Sequence, residues 1–213
     1  MRILVVGATG GTGQAILREA LARGHEVTAL VRDRIKAAGL LPGANLEEGD
    51  ARDAAALSRA LSGCEAVISA LGTRKLSLFQ SVTLFSEATR TLLSVMTKQR
   101  VSRFVCITGV GAGDSAGHGG FVYDRLIKPT LLRTIYDDKD RQEAIIRNST
   151  VDWVIVRPTV LKDKPATARI RAITDLSGFH GGEISRADVA TFAVAQTSGD
   201  TWLRKTPLIT EET

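Results

Sequence analysis

Gly7, Gly10 and Gly13 stand three residues apart in VVGATGGTGQAI. That spacing permits a tight turn, lets backbone N–H groups approach a pyrophosphate, and lets a helix pack closely on a strand. Ala8, Thr9, Gly11 and Thr12 are also small, so Gly7–Gly13 reads as a phosphate loop. The positive end of a helix beginning near Gly11–Thr12 then faces the phosphates. A glycine triplet alone is weak evidence, because surface turns also collect glycine. The strand before it and the helix after it carry the reading of a dinucleotide site.

A second strand ends at Val31, and Arg32 follows. It occupies the place, about 20 residues past the phosphate loop, where an NAD-specific fold presents a carboxylate to the ribose 2′-hydroxyl. Arginine there favours a 2′-phosphate, so NADP(H) is expected over NAD(H). Arg34 and Lys36 reinforce that expectation, whereas Asp33 opposes it unless it caps the next turn. Gly49–Asp50, Leu71–Gly72–Thr73 and Thr108–Gly109–Val110 each follow a strand. The carboxyl ends of strands form the rim on which ligands of open α/β sheets lie.

The elements that must position these residues are legible as alternating patterns. Short Val- and Ile-rich runs at Ile3–Val6, Val27–Val31, Ala66–Ala70, Phe104–Ile107 and Trp153–Val156 read as buried strands. Between them, helices are predicted over Thr12–Arg23 closing at Gly24, Ala54–Leu61 behind an Asp53 cap and closing near Gly63, and Ala187–Thr197 behind Ser185. Leu78–Lys98 reads as one long amphipathic helix with Leu84, Ala88, Leu92 and Val95 on one face. The alternation predicts an α/β fold, a Rossmann-like doubly wound parallel sheet with helices on both faces. One domain over residues 1–213 is expected, its substrate side formed by residues 109–136 and 158–185. The glycine-dense loop Gly109–Gly120 reads as a mobile lid.

Composition excludes several other classes. A chain of 213 residues, 44% hydrophobic and 24% charged, buries a full core without disulfides or metal. The net charge of +5 is spread along the chain rather than gathered into a basic stripe with aromatics, so no nucleic-acid partner is expected. Cys64 and Cys106 form no CxxC pair and are accompanied by three scattered histidines, so no metal site is expected. His118 and His180 read as solvated loop residues, and Trp153 and Trp202 as packing residues. No secretory leader and no apolar run of membrane-spanning length is evident, so a cytoplasmic protein with no membrane partner is expected, as monomer or homodimer.

Taken together, GATGGTG, LVRD, GD, ALGT, DWVIVRP and ISRADVA resemble the atypical short-chain dehydrogenase/reductases of the NAD(P)-binding, NmrA-like group. LVRD, LGT and the Asp-Asp segment within Tyr136–Asp140 resemble its biliverdin reductase B/flavin reductase branch. The resemblance implies pyrophosphate binding by Gly7, Thr9, Gly10, Thr12 and Gly13, 2′-phosphate binding by Arg32, and Asp50 with Ala51 near adenine. It also implies Leu71, Gly72 and Thr73 beside the ribose and nicotinamide, with Thr108–Val110 and Pro158, Thr159 and Val160 walling the active side. Where this branch commonly has a serine after the threonine of strand five, the chain has Thr108–Gly109, which lacks the hydroxyl for the hydrogen bond expected there.

Carbonyl reduction in the wider superfamily uses a Tyr-x-x-x-Lys dyad, in which lysine eases proton release from tyrosine. Tyr123 with Lys128 and Tyr136 with Lys139 miss that spacing. Counting back from RNSTVDWVIVRP, the resemblance implies that Lys139 holds the family lysine's place, with Ile135 where tyrosine belongs. Lys139 and Thr108 are therefore the candidate catalytic residues, and both tyrosines read as packed rings. A flavin, quinone or linear tetrapyrrole accepts hydride into a conjugated system and takes its proton from solvent, so the missing dyad suits such a planar acceptor. The expectation is an NADPH-dependent reductase, with FMN among its conceivable substrates. A non-catalytic NADP(H)-sensing regulator and a sugar-nucleotide epimerase or dehydratase stand as alternatives, the last disfavoured by the short chain after Pro158.

Overall fold

Near-continuous apolar runs let the central strands bury both faces, and they fold as one sheet. The computed structural model describes residues 1–73, 82–120, 125 and 132–212. β1 (Arg2–Val6), β2 (Glu26–Val31), β3 (Asn45–Glu48), β4 (Ala66–Ser69), β5 (Arg103–Ile107), β6 (Asp152–Pro158), β8 (Ile170–Ile173) and β10 (Leu208–Glu211) form an eight-stranded sheet in the order β3-β2-β1-β4-β5-β6-β10-β8. Every pairing is parallel except β10 with β8, which is antiparallel at the edge. β7 (Val160–Lys162) and β9 (Glu183–Ser185) make a separate two-stranded parallel ladder.

Successive residues of β1 serve opposite layers. Ile3 and Val5 pack with α1 (Gly11–Ala22) and α6 (Arg186–Ala195), while Leu4 and Val6 pack with α3 (Ala54–Leu61), α4 (Leu84–Gln99) and α5 (Arg133–Arg147). Full burial of one such aliphatic side chain is worth about 1.5–3 kcal/mol. Cys64 and Cys106 lie in the second layer, and burial pushes the Cys106 thiol up to about 12, so both behave as core residues. Among the described residues no helix is long and apolar enough to cross a membrane.

Asp53 accepts from Ala55 N at 2.9 Å and starts α3, and Ser185 starts α6 by accepting from Asp188 N. α2 (Arg34–Ala38) begins behind Asp33, which accepts from Lys36 N at 3.0 Å. The long helix expected from Leu78 differs at its start: residues 74–81 lie outside the description, and Val82 and Thr83 are not helical. α4 begins at Leu84 because Asp138, wholly buried on α5, accepts from Phe85 N at 2.8 Å and Ser86 N at 3.3 Å. A carboxylate from another helix thus supplies the cap.

The phosphate loop is fixed by backbone crowding. A Cβ on Gly13 would stand 2.2 Å from Gly7 O, and one on Gly7, whose φ is +86°, would stand 2.5 Å from Ala70 O. The turn after β1 therefore lies against the end of β4, where the strand order reverses and α/β sheets hold their ligands. Gly13→Ala is expected to destabilise the protein by about 1–3 kcal/mol through this overpacking. Gly39→Ala, at an open site with φ of −75°, should leave the melting temperature unchanged or slightly raised. Thermal unfolding of the two variants checks the contrast.

Candidate cofactor and catalytic site

α1 begins without a capping side chain. Its N-cap is Gly10, and no acidic residue stands in its first turn. The N–H groups of that turn therefore face the rim available to an anion. A Cβ on Gly72 would meet nothing within 4 Å and one on Gly10 only Gly7 O at 3.4 Å, so glycine keeps this part of the rim open. Thr9, Gly10 and Gly11 are exposed and Thr12 half-buried, whereas Ala8 is turned wholly into the core, so only its backbone is available to a ligand. These residues fit a dinucleotide pyrophosphate.

Arg32 is exposed at the end of β2. Asp33 and Lys36 pair with each other at 2.9 Å, and Arg34, also exposed, donates its backbone N–H to Glu48 Oε2 at 3.1 Å, so Arg32 and Arg34 both stand at this corner. The Asp50 carboxyl is held down at about 2, first by its hydrogen bonds to Arg52 and further by the Arg32 charge. Its Oδ1 accepts from Arg52 N at 2.8 Å and Arg52 Nε at 2.9 Å, so the carboxylate is committed to Arg52. Ala51 is half-buried beside it, packed against the core. Leu71 and Thr73 are half-buried and Gly72 exposed beyond β4.

The far side of the rim is organised by α5. Thr108 is buried and its Oγ1 donates to Glu143 Oε1 at 2.8 Å, so the hydroxyl points into the protein. Arg157, 1% exposed, holds Glu143 with Nε at 3.0 Å from Oε1 and Nη2 at 2.5 Å from Oε2. Arg157 Nη1 also reaches Asp114 Oδ1 at 2.5 Å, and Gly113 N donates to Asp140 Oδ1 at 2.6 Å. The loop expected to be a mobile lid is thus pinned from 109 to 115. Val110 N donates to Pro158 O at 2.9 Å and Gly111 N to Ser115 Oγ at 2.9 Å. Further on, Gly181 N donates to His118 O at 3.0 Å, and the His118 and His180 rings stack at 5.9 Å, joining two segments expected to border the substrate. Residues 121–124 and 126–131, with Phe121, Tyr123 and Lys128, lie outside the description.

Pro158 and Thr159 are buried and Val160 is exposed. Thr159 Oγ1 donates to Thr210 Oγ1 at 3.3 Å, so its hydroxyl is engaged across the sheet. A cleft of about 450 Å³ lined by Arg171, Phe179, His180 and Thr210 opens beyond it.

Lys139 is half-buried, with its ammonium at the enclosed end donating to Thr108 O, and burial pushes that ammonium below its ordinary 10.5. Tyr136 packs with Phe85, Ala112 and Ile135 as a buried ring, yet its hydroxyl is not remote from the rim. A Cβ on Gly109, whose φ is +146°, would stand 3.2 Å from Tyr136 Oη and 3.8 Å from Lys139 Nζ. Two groups three residues apart on α5 therefore converge on the carboxyl end of β5, since helix neighbours share a face at three residues as well as four. A side chain at position 109 would begin 3.2 Å from the Tyr136 hydroxyl, close enough that the ring would have to give by a few tenths of an ångström. Sequence spacing alone discounted Tyr136, and nothing in the pattern flagged Glu143. Arg157, a charged residue ending the apolar run DWVIVRP, was the available signal.

Residues 7–199 match the family described as NAD(P)H-binding. The chain is 29% identical over 199 residues to an uncharacterized chloroplastic protein of Arabidopsis thaliana, covering 91% of this chain and 70% of that one. It is 28% identical to the photosystem II assembly factor Ycf39 of Synechocystis, covering 97% of this chain and 61% of that protein's length. Among solved structures it is similar to ChuY, an anaerobillin reductase from Escherichia coli O157:H7, with a TM-score of 0.82, 25% identity, and coverage of 99% of this chain and 97% of that one.

Two expectations follow from α5. Removing Glu143 as Glu143→Ala leaves Arg157 a buried charge with only Asp114 and should cost about 3–5 kcal/mol in denaturant unfolding. Lys139 binds its proton less tightly folded than unfolded, so the unfolded chain holds more protons as pH approaches 10.5. Wild type should therefore gain stability relative to Lys139→Met as pH rises from 8 toward 10, a slope read from melting temperatures of the pair.

Proposed function

The chain belongs to the NAD(P)H-binding family, and from that premise we propose that it is an NADPH-dependent reductase of a planar conjugated acceptor, a linear tetrapyrrole or a flavin such as FMN. The observation that carries the reductase reading is the convergence of Tyr136 Oη and Lys139 Nζ on Gly109, at the rim that also holds the open glycine cradle; it places a proton donor there, so the planar acceptor rests on the likeness to ChuY and not on a missing donor. The fit of α1, Gly72 and Arg32 to a phosphorylated dinucleotide supports the cofactor, and the likeness to ChuY supports the acceptor class.

The hydride would come from a nicotinamide held at this rim. The protein's own residues do the rest by position and charge. The first turn of α1 would hold the pyrophosphate, and Arg32 would select the 2′-phosphate by a charge-assisted contact. The glycine at position 109 lets the acceptor plane come close to the end of β5. The Tyr136 hydroxyl holds a proton there, and the Lys139 ammonium beside it favours its release. Glu143 acts at one remove, fixing Thr108, whose carbonyl orients Lys139.

Two observations favour a second reading, a dinucleotide-binding protein without turnover. The Thr108 hydroxyl is spent on Glu143, and Ycf39, similar over most of this chain, is named as an assembly factor.

NADPH oxidation should proceed with at least one of FMN, a benzoquinone and a linear tetrapyrrole. Absence of turnover with all three, alongside a raised melting temperature in NADPH, decides for the second reading. Arg32→Ala should raise the KM for NADPH by about tenfold or more while leaving that for NADH within about twofold. Tyr136→Phe should lower kcat with the KM for NADPH unchanged.

A further inference from the structure

Gly11 is not one of the three glycines that the phosphate-loop spacing requires, yet it is glycine for a visible reason. A Cβ there would stand 3.0 Å from Arg186 Nε and 3.1 Å from Arg186 Cδ. Arg186 opens α6, which packs along α1, so its side chain crosses to the start of α1 from the neighbouring helix. Its Nη1 pairs with Asp163 Oδ1 at 2.7 Å, and Asp163 is 86% exposed. An ion pair so exposed contributes little and exchanges readily. On the same helix as Arg186, Asp188 accepts from Thr167 N at 3.0 Å and Ala168 N at 3.0 Å, four and five residues past Asp163. Arg186 is therefore positioned by fixed elements over the uncapped helix start, with a replaceable carboxylate as its partner.

We propose that Arg186 is the side-chain cation of the pyrophosphate site, its guanidinium exchanging Asp163 for a phosphate oxygen of the dinucleotide. The position separates it from Arg32. Arg186 meets α1 from α6, whereas Arg32 ends β2 beside Asp50, the corner assigned to the 2′-phosphate. A planar fork suits a phosphate bidentately, and the positive end of α1 adds to it. The inference rests on family membership and on the geometry at Gly11, and it is independent of the acceptor.

Binding to the full chain, measured by calorimetry, tests it without turnover. Arg186→Gln should weaken NADPH, NADH and ADP-ribose by a common factor of about tenfold, as loss of a charge-assisted contact does, and leave adenosine 2′-monophosphate unchanged. Arg186→Lys, which keeps the charge and loses the fork, should recover part of that loss. Unchanged affinity for the three pyrophosphate ligands would falsify the assignment. A loss confined to NADPH and adenosine 2′-monophosphate overturns it in favour of a 2′-phosphate contact. A lowered melting temperature in Arg186→Gln, with no recovery of binding in Arg186→Lys, overturns it in favour of a packing role.

Discussion

One backbone carbonyl, that of Gly7, sets the geometry of the cofactor end. It accepts from Gly10 N at 3.1 Å to close the turn, and it lies where a side chain on Gly13 would begin. Because both neighbours are glycine, α1 starts directly against β1, and its uncapped N–H groups reach the rim. Because Gly7 also touches the backbone of Ala70, the turn is seated at the point where the sheet order reverses. A larger residue at either position would lift the helix and close the cradle.

The other end depends on a different kind of constraint, a buried charge that must be answered. Arg157 ends β6 inside the protein, and Glu143 on α5 neutralises it. Once that pair is in place, α5 has one rotation about its axis, Thr108 is tied to Glu143, and Asp114 draws the following loop inward. A buried pair contributes little net stability compared with apolar packing, but breaking it is costly, so it acts as a register pin. The register it sets is the one that brings Lys139 and Tyr136 to Gly109.

The two ends share a logic in which glycine is placed where another residue must enter. Gly11 admits Arg186, Gly109 admits the Tyr136 hydroxyl and the Lys139 ammonium, and Gly113 admits the Arg157–Glu143 pair. In each case the incoming group is polar and comes from a helix or strand distant in the chain. The glycine-dense stretch after β5 therefore follows from close approach more than from mobility.

The phosphate loop, the parallel core strands, the Asp53 and Ser185 caps and the exposed Arg32 were all legible in the sequence. Each is a local pattern: a strand, a turn and a helix in succession, a short continuous apolar run, a residue type at a fixed distance. The four short strands β7 to β10 were not, because three- and four-residue segments carry too little periodicity to stand out. Nor was the start of α4, since its capping carboxylate belongs to α5. Tertiary structure alone decided that Tyr136, discounted for its spacing, shares Gly109 with Lys139, and that Arg186 lies over Gly11. Those meetings join residues far apart in the chain, and they exist only once sheet order and the Arg157–Glu143 pin have fixed where each helix lies and how it is turned.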